Sequence, residues 1–291
     1  SRTRLCPVYR FRSGNTVSAT QWEEAMADAE RWLGDRKVAL NRGDLGFGHD
    51  AIMAWHDAAP ARPKFLFKLK LTTLVRSALH RIKEGDWQGP ATLGACQIAE
   101  ARIQLTGWKT SRRVIFARTL QGVVPAAGRA EFWDQHKHEF AVYVTNLPDE
   151  VNGWQIQELY RQRADTENVF DELKNQWGFS GFCAKSKATT ELAARLLLVV
   201  YNLWTLFVRF IVPQKHTEAK RGRRWFLLIA ARLVESGRQK ELQVSISGGW
   251  AEQLRDGYLR LHEWIRSTAP QLKYIVPDHR QTTVHPASAG A

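Results

Sequence analysis

Four polar side chains with complementary chemistry recur over a short stretch: Tyr160, Arg163, Glu167 and Lys174. The apolar spacing from Asn152 to Trp177 predicts one long helix. At about 100° per residue, Arg163, Lys174 and Glu167 fall about 60°, 40° and 20° from Tyr160, so the four share a narrow stripe. Leu159, Val169, Phe170, Leu173 and Trp177 fill the neighbouring arc, while Arg161, Asp165, Asn168, Glu172 and Asn175 fill the opposite one. A carboxylate flanked by a tyrosine, an arginine and a lysine at the edge of a core suits a metal ligand beside groups that grip phosphate. The same pattern also fits an ordinary amphipathic helix whose rim residues pair locally.

Something must hold that helix in place. Residues 5–12 read as a strand, and residues 20–33 as a helix with Thr20 as N-cap and Trp22, Ala25, Met26, Ala29, Trp32 and Leu33 at helical spacing. Lys37 to Asn41 reads as a short strand entering the loop Arg42-Gly43-Asp44-Leu45-Gly46-Phe47-Gly48. A helix from His49 to Ala58 follows and ends at Pro60 and Pro63. Residues 65–71, 101–105, 114–118 and 140–145 alternate in the manner of strands. Beyond Pro148 the chain turns helical, at 152–177, 190–211, 220–236 and 250–267, and its last dozen residues read as a frayed tail. The most apolar run, Leu196 to Val208, is 13 residues long. That falls short of the roughly 20 that span a bilayer and predicts a buried core helix.

Composition narrows the partners. The 291 residues carry 42 Lys and Arg against 29 Asp and Glu, a formal net charge of +13, which points to a polyanion. The stretch 64–147 holds 13 Lys and Arg against 6 Asp and Glu, about half of that surplus. Cys6, Cys96 and Cys183 are too few and too far apart for a disulfide framework or a paired-cysteine zinc site. The chain opens Ser1-Arg2-Thr3-Arg4 with neither an initiator methionine nor an apolar signal segment, so it reads as processed or as a piece of a longer protein.

The spacing Tyr160-x2-Arg163-x3-Glu167-x6-Lys174 resembles the Y-R-E-K signature of DDE transposases from bacterial insertion sequences. Residues Phe11 to Thr16, Arg42 to Phe47, Phe65 to Leu69, Gly107-Trp108 with Arg112-Arg113-Val114, and Tyr201 to Trp204 are similar to segments of that family and stand in its order. The resemblance implies an α/β fold with an RNase H-like core, incomplete at its N-terminus, a β-rich insertion and a helical C-terminal extension. The boundaries implied are 1–62 and 148–213 for the two parts of the core, 63–147 for the insertion and 214–291 for the extension. It further implies Asp44 and Glu167 as catalytic, metal-binding acids, served by Mg²⁺ or Mn²⁺. A carboxylate at a strand's end and one on an adjoining helix can converge on such a hard ion. Tyr160, Arg163 and Lys174 would hold DNA. The implied reaction is two-metal phosphodiester hydrolysis and strand transfer at element ends. The implied partners are duplex DNA and a second copy of the chain on it, in a bacterial cytoplasm at the nucleoid, with no membrane.

The family also places a first Asp on a strand upstream. The earlier acids Glu23, Glu24, Asp28, Glu30 and Asp35 all lie in or just after the first predicted helix. The expectation is therefore an N-terminally truncated chain that binds DNA without cleaving it. A decayed or domesticated, inactive DNA-binding remnant is the alternative, and a nuclease without strand transfer a third reading.

Other signals are weaker. Arg42-Gly43-Asp44 spells an integrin tripeptide, and Gly43, Gly46 and Gly48 stand in the wrong order for a dinucleotide loop. His136 and His138 near Asp134 suit zinc or a polar strand edge. Lys220-Arg221-Gly222-Arg223-Arg224 suits backbone phosphates or a solvated helix start. Trp108, on a basic hairpin-like stretch, is the tryptophan suited to stacking on a base or holding a flipped one.

Overall fold

In a computed structural model of the protein, the residues described are 4–11, 16, 19–124, 135–182, 185–237, 239–244 and 251–268. They form two compact units, Pro7–Ala164 and Ser1–Cys6 together with Asp165–Ala291. The chain is mixed α/β, with a mixed sheet in the first unit and mainly helices in the second.

In the unit Pro7–Ala164 the order is α1 (Trp22–Leu33), β1 (Leu40–Gly43), α2 (Asp50–Asp57), β2 (Lys64–Lys68), α3 (Thr73–His80), β3 (Cys96–Ile103), β4 (Arg112–Val124), β5 (Gln135–Thr145) and α4 (Gly153–Arg161). The five strands make one sheet in the order β1-β2-β5-β4-β3; β1 and β2 run parallel and the other neighbours antiparallel. The sheet therefore crosses from residues 40–43 to residues 64–145 without a break.

The two-residue period of each strand sorts its side chains onto two faces. Phe65, Phe67, Val114, Phe116, Val142 and Val144 pack with Ile52 and Met53 of α2 and Val75 and Leu79 of α3. Leu66, Ile98, Ile115, Ala117 and Tyr143 pack on the other face with Ile156 of α4. Phe65, Leu66 and Phe67 are all fully buried, so the alternation expected over 65–71 is not what forms this strand: β2 spans Lys64–Lys68 as an apolar run between two lysines, covered on both faces. Gly153 lets α4 approach. A Cβ there would lie 2.5 Å from Ile98 Cγ2 and 2.8 Å from Glu100 Oε1. Asn152 caps the helix by accepting from the Gln155 N–H, and Gln155 returns the bond to the Asn152 N–H.

In the second unit the elements are α5 (Ala164–Gln176), α6 (Lys187–Ile211), α7 (Ala219–Gly222), a π-turn at Arg223–Leu227, the hairpin β6 (Ala231–Ser236) and β7 (Gln239–Val244), and α8 (Ala251–Thr268). Its core gathers Trp204, Val208, Ile211, Ala219, Phe226 and Leu254. The Cys6 backbone is tied in by Asn202, which accepts from its N–H at 2.8 Å and donates to its carbonyl at 2.9 Å.

Several expectations need correction. Residues 4–11 carry no strand. Helix α1 starts at Trp22 after a left-handed Gln21 (φ 62°), so Thr20 is not its cap. The strand expected at 37–41 lies at 40–43 because pairing with Lys64–Phe67, rather than local apolar content, sets its register. Residues 220–236 are not one helix: α7 and the π-turn end at Leu227, and residues 231–236 pair with 239–244. Nor is α6 buried all round. Ala194, Leu198, Tyr201, Trp204 and Val208 face inward, while Leu192, Leu196, Val199, Val200 and Leu203 are each at least half exposed. By length and composition α6 is long and apolar enough to cross a membrane, but its inward face lies in this unit's core. The stretch Arg12–Asn15, Asp134, Cys183 and the terminal dozen residues lie outside the described residues.

Candidate functional site

Asp44 is the first residue past β1. The turn that follows is tight: the Phe47 N–H donates to the Asp44 carbonyl at 3.1 Å, and a Cβ on Gly43 would stand 2.7 Å from Phe47 Cβ. The carboxylate is engaged on both oxygens. Oδ1 accepts from the Gly46 N–H at 3.1 Å, an Asx-type turn, and Oδ2 accepts from Arg163 Nη2 at 3.2 Å. The Arg163 side chain is 17% exposed and that of Asp44 47%, so the pair opens to solvent on the carboxylate side.

Tyr160 stands behind Arg163. The guanidinium carbon lies 5.9 Å from the Tyr160 ring centre, and that ring lies 4.7 Å from Tyr143. Burial in the sheet, with the neighbouring Tyr160, pushes the Tyr143 hydroxyl up to about 12, which keeps it a neutral donor. Arg42, just before the acid, donates to the Leu159 carbonyl at 2.6 Å and fastens β1 to the end of α4. The sheet unit thus brings together an acid, a guanidinium and a phenol, a set able to receive phosphate.

The remaining two signature residues are carried differently. The helix expected from 152 to 177 is broken: the Gln162 N–H still bonds to the Glu158 carbonyl, but the Arg163 N–H turns back to Tyr160 at 2.8 Å and the ladder restarts at Ala164. A wheel drawn through one continuous helix therefore does not apply. Tyr160 and Arg163 belong to the sheet unit, and Glu167 and Lys174 to the helical one. Both of the latter are exposed on α5, with Glu167 in its first turn, where the helix dipole favours a carboxylate.

The same wheel misplaced Glu172, which is fully buried. It accepts from His216 Nε2 at 2.7 Å, the Ala219 N–H at 3.0 Å and Trp177 Nε1 at 3.3 Å. Burial raises its pKa, but the His216 bond and charge, with the Ala219 and Trp177 donors, outweigh that and leave it lowered. No signal within the helix marks this residue, because its donors come mainly from the chain some forty residues on.

Carboxylate oxygens suit Mg²⁺ or Mn²⁺ chemically. Among the described residues, however, no group of three or more aspartates, glutamates, histidines or cysteines comes together to hold a metal ion. The acids before β1 lie on or just after α1, and Asp28 is paired with Arg10 and Arg31.

Trp108 sits in the β3–β4 turn and packs, partly buried, against the cluster around Phe67. His138 lies on β5 with its ring 5.9 Å from Phe140, and its proposed companion Asp134 is outside the described residues. Arg112 and Arg113, which alternation alone would leave half in water, are both nearly buried beside a cavity of about 350 Å³. Each has carboxylate partners: Asp50 and Asp57 for Arg112, Glu100 for Arg113.

Residues 5–265 match the family described as transposase DDE domain group 1. No curated protein matches the chain.

Proposed function

Since the chain belongs to the transposase DDE domain group 1 family, we propose that it is the DNA-handling core of an insertion-sequence transposase. The family acts in DNA transposition and is generally dependent on divalent metal. The observation that carries the finer reading is the contact of Arg163 with Asp44 beside Tyr160, which joins one proposed catalytic acid to two of the proposed DNA-binding groups.

The parallel pair β1 and β2 with α2 between them supports an RNase H-like core, with Asp44 as its second acid and Glu167, on α5, as its third. Arg163 and Lys174 supply positive charge for phosphate oxygens, and Tyr160 a hydroxyl and a stacking face. Asp44 and Glu167 would hold Mg²⁺ or Mn²⁺, which would supply Lewis-acid chemistry at a phosphodiester. Duplex DNA, a second copy of the chain on that DNA, and a cytoplasmic setting complete the proposal.

A second reading is a DNA-binding protein without cleavage; what favours it is that among the described residues no three acids come together to hold a metal ion. Both readings meet in one experiment. The 291-residue chain is incubated with supercoiled plasmid carrying the DNA that flanks its gene, with and without Mg²⁺ or Mn²⁺. The expected result is retention of DNA with no metal-dependent nicking. Robust nicking abolished by Glu167→Gln would show that this chain holds a complete acid set and would overturn the two-acid assignment.

A further inference from the structure

The basic cluster at 220–224 is not absorbed by the site around Asp44, and the fold gives it a defined surface. Ala219, Gly222 and Phe226 are buried at a spacing of three and four residues, which turns one side of α7 and the π-turn inward. That side is held closely. A Cβ on Gly222 would meet Trp204 Cζ2 at 2.5 Å, the Ala219 N–H donates to buried Glu172 at 3.0 Å, and Trp204 Nε1 donates to the Thr217 carbonyl at 3.2 Å. Past Gly222 the register widens to a π-turn, closed by the Leu228 N–H to the Arg223 carbonyl at 3.0 Å.

With Ala219, Gly222 and Phe226 pinned inward, Lys220, Arg221, Arg223 and Arg224 are all exposed together. Trp225 is 39% exposed, and the Arg221 guanidinium lies 4.0 Å over its ring. Elsewhere the arginines at the sheet are matched by acids: Arg102 with Asp149, Arg112 with Asp50, Arg113 with Glu100 and Arg118 with Glu84. Among the described residues none of the four cations at 220–224 forms an ion pair with a carboxylate, and the adjacent Glu218 instead accepts from Gln176 Nε2 at 2.6 Å.

We propose that α7 and the π-turn form a second grip on duplex DNA. Lys220, Arg221, Arg223 and Arg224 take successive backbone phosphates, and Trp225 braces Arg221 and covers a sugar. The contact is independent of base sequence, because it reads charge alone. It rests on the reading of the chain as DNA-acting. The exposed Leu227 and Leu228 nearby raise an anionic membrane surface as a rival, but a four-residue helix followed by a π-turn has no extended apolar face to lie in a lipid interface.

The test uses the full chain and a random-sequence duplex of about 30 base pairs, titrated by fluorescence anisotropy from about 50 to 200 mM salt. Combining Lys220→Gln, Arg221→Gln, Arg223→Gln and Arg224→Gln should lower the magnitude of the slope of log K against log salt by about 3 to 4, and weaken binding roughly tenfold or more near 150 mM. The melting temperature should stay near that of the wild type. A companion carrying Arg221→Lys, Arg223→Lys and Arg224→Lys should retain the wild-type slope. If the wild type binds with a steep salt response and the glutamine variant keeps that slope, the second grip is overturned while the DNA-acting reading stands. If the wild type itself shows no salt-dependent binding, both fall. Loss of binding to phosphatidylserine vesicles with DNA binding unchanged would give the patch to lipid and overturn the proposal.

Discussion

Asp44 and Glu172 are both carboxylates held by donors, and their surroundings give them different uses. Asp44 is half exposed, and its bridge to Arg163 contributes about 0–1 kcal/mol, as solvated pairs do. Glu172 is fully buried with His216, Ala219 and Trp177 around it, so it anchors α5 to the start of α7. Replacing it by Gln should cost about 1–3 kcal/mol in urea unfolding at neutral pH, because a neutral amide serves those donors poorly. The pH dependence has a definite sign. The folded pKa of Glu172 is lowered, so its contribution is complete above the unfolded value of about 4.3 and is lost as the pH falls through the folded one. Wild type and Glu172→Gln should thus converge in stability in acid. A gap that stays constant from neutral pH to about pH 3 would assign the cost to packing and not to charge.

At the scale of elements, α4 is the piece whose position the site around Asp44 depends on, since it carries Leu159 and Tyr160. Its approach to the sheet rests on Gly153. Gly153→Ala should lower stability by about 1–3 kcal/mol, as overpacking does, and should weaken DNA binding by displacing Tyr160. A variant with wild-type melting temperature and affinity would show that the α4–sheet contact has room to give. Parts of β2, β4 and β5 were legible in the sequence from their apolar β-forming residues, and α2 because its apolar spacing ends at two prolines, whereas β1 and β3 lie at 40–43 and 96–103 and not at the expected 37–41 and 101–105. The break at Gln162–Arg163 was not legible, for nothing in Gln-Arg-Ala opposes a helix. Residues 231–236 were equally opaque: Ala-Arg-Leu-Val-Glu-Ser is compatible with either state, and the partner strand Gln239–Val244 decides it, whereas the helix expected at 250–267 is present as α8.

Over the whole molecule, a charge of +13 is not spread as a uniform coat. Much of the arginine around the sheet is used internally, with Arg112, Arg113 and Arg118 each less than a tenth exposed and each facing acids. The charge available to a polyanion lies on exposed side chains of both units, among them Lys64, Lys70, Arg76, Lys83, Lys109, Lys174 and those of Lys220 to Arg224. Affinity of the complete chain for duplex DNA should fall steeply between about 50 and 200 mM salt as phosphate-bound counterions are released. A flat response, measured by the same titration, would remove DNA as the partner.

Residue types and spacing by themselves determined the family resemblance, the acids and cations worth testing, the helix–strand–helix–strand order of residues 20–68 and the basic surplus that points to a polyanion. All of these depend on local pattern or on total charge, which a linear chain carries without folding. Tertiary structure alone decided that Arg163 meets Asp44, that Glu172 is interior, that Arg112 and Arg113 are nearly buried and matched by acids, and that the cluster at 220–224 stands outward on a pinned turn. Each of these depends on groups brought from afar, such as Arg163 to Asp44 across 119 positions and His216 to Glu172 across 44. Periodicity says which side chains share a face. What covers that face is set by packing of the whole chain.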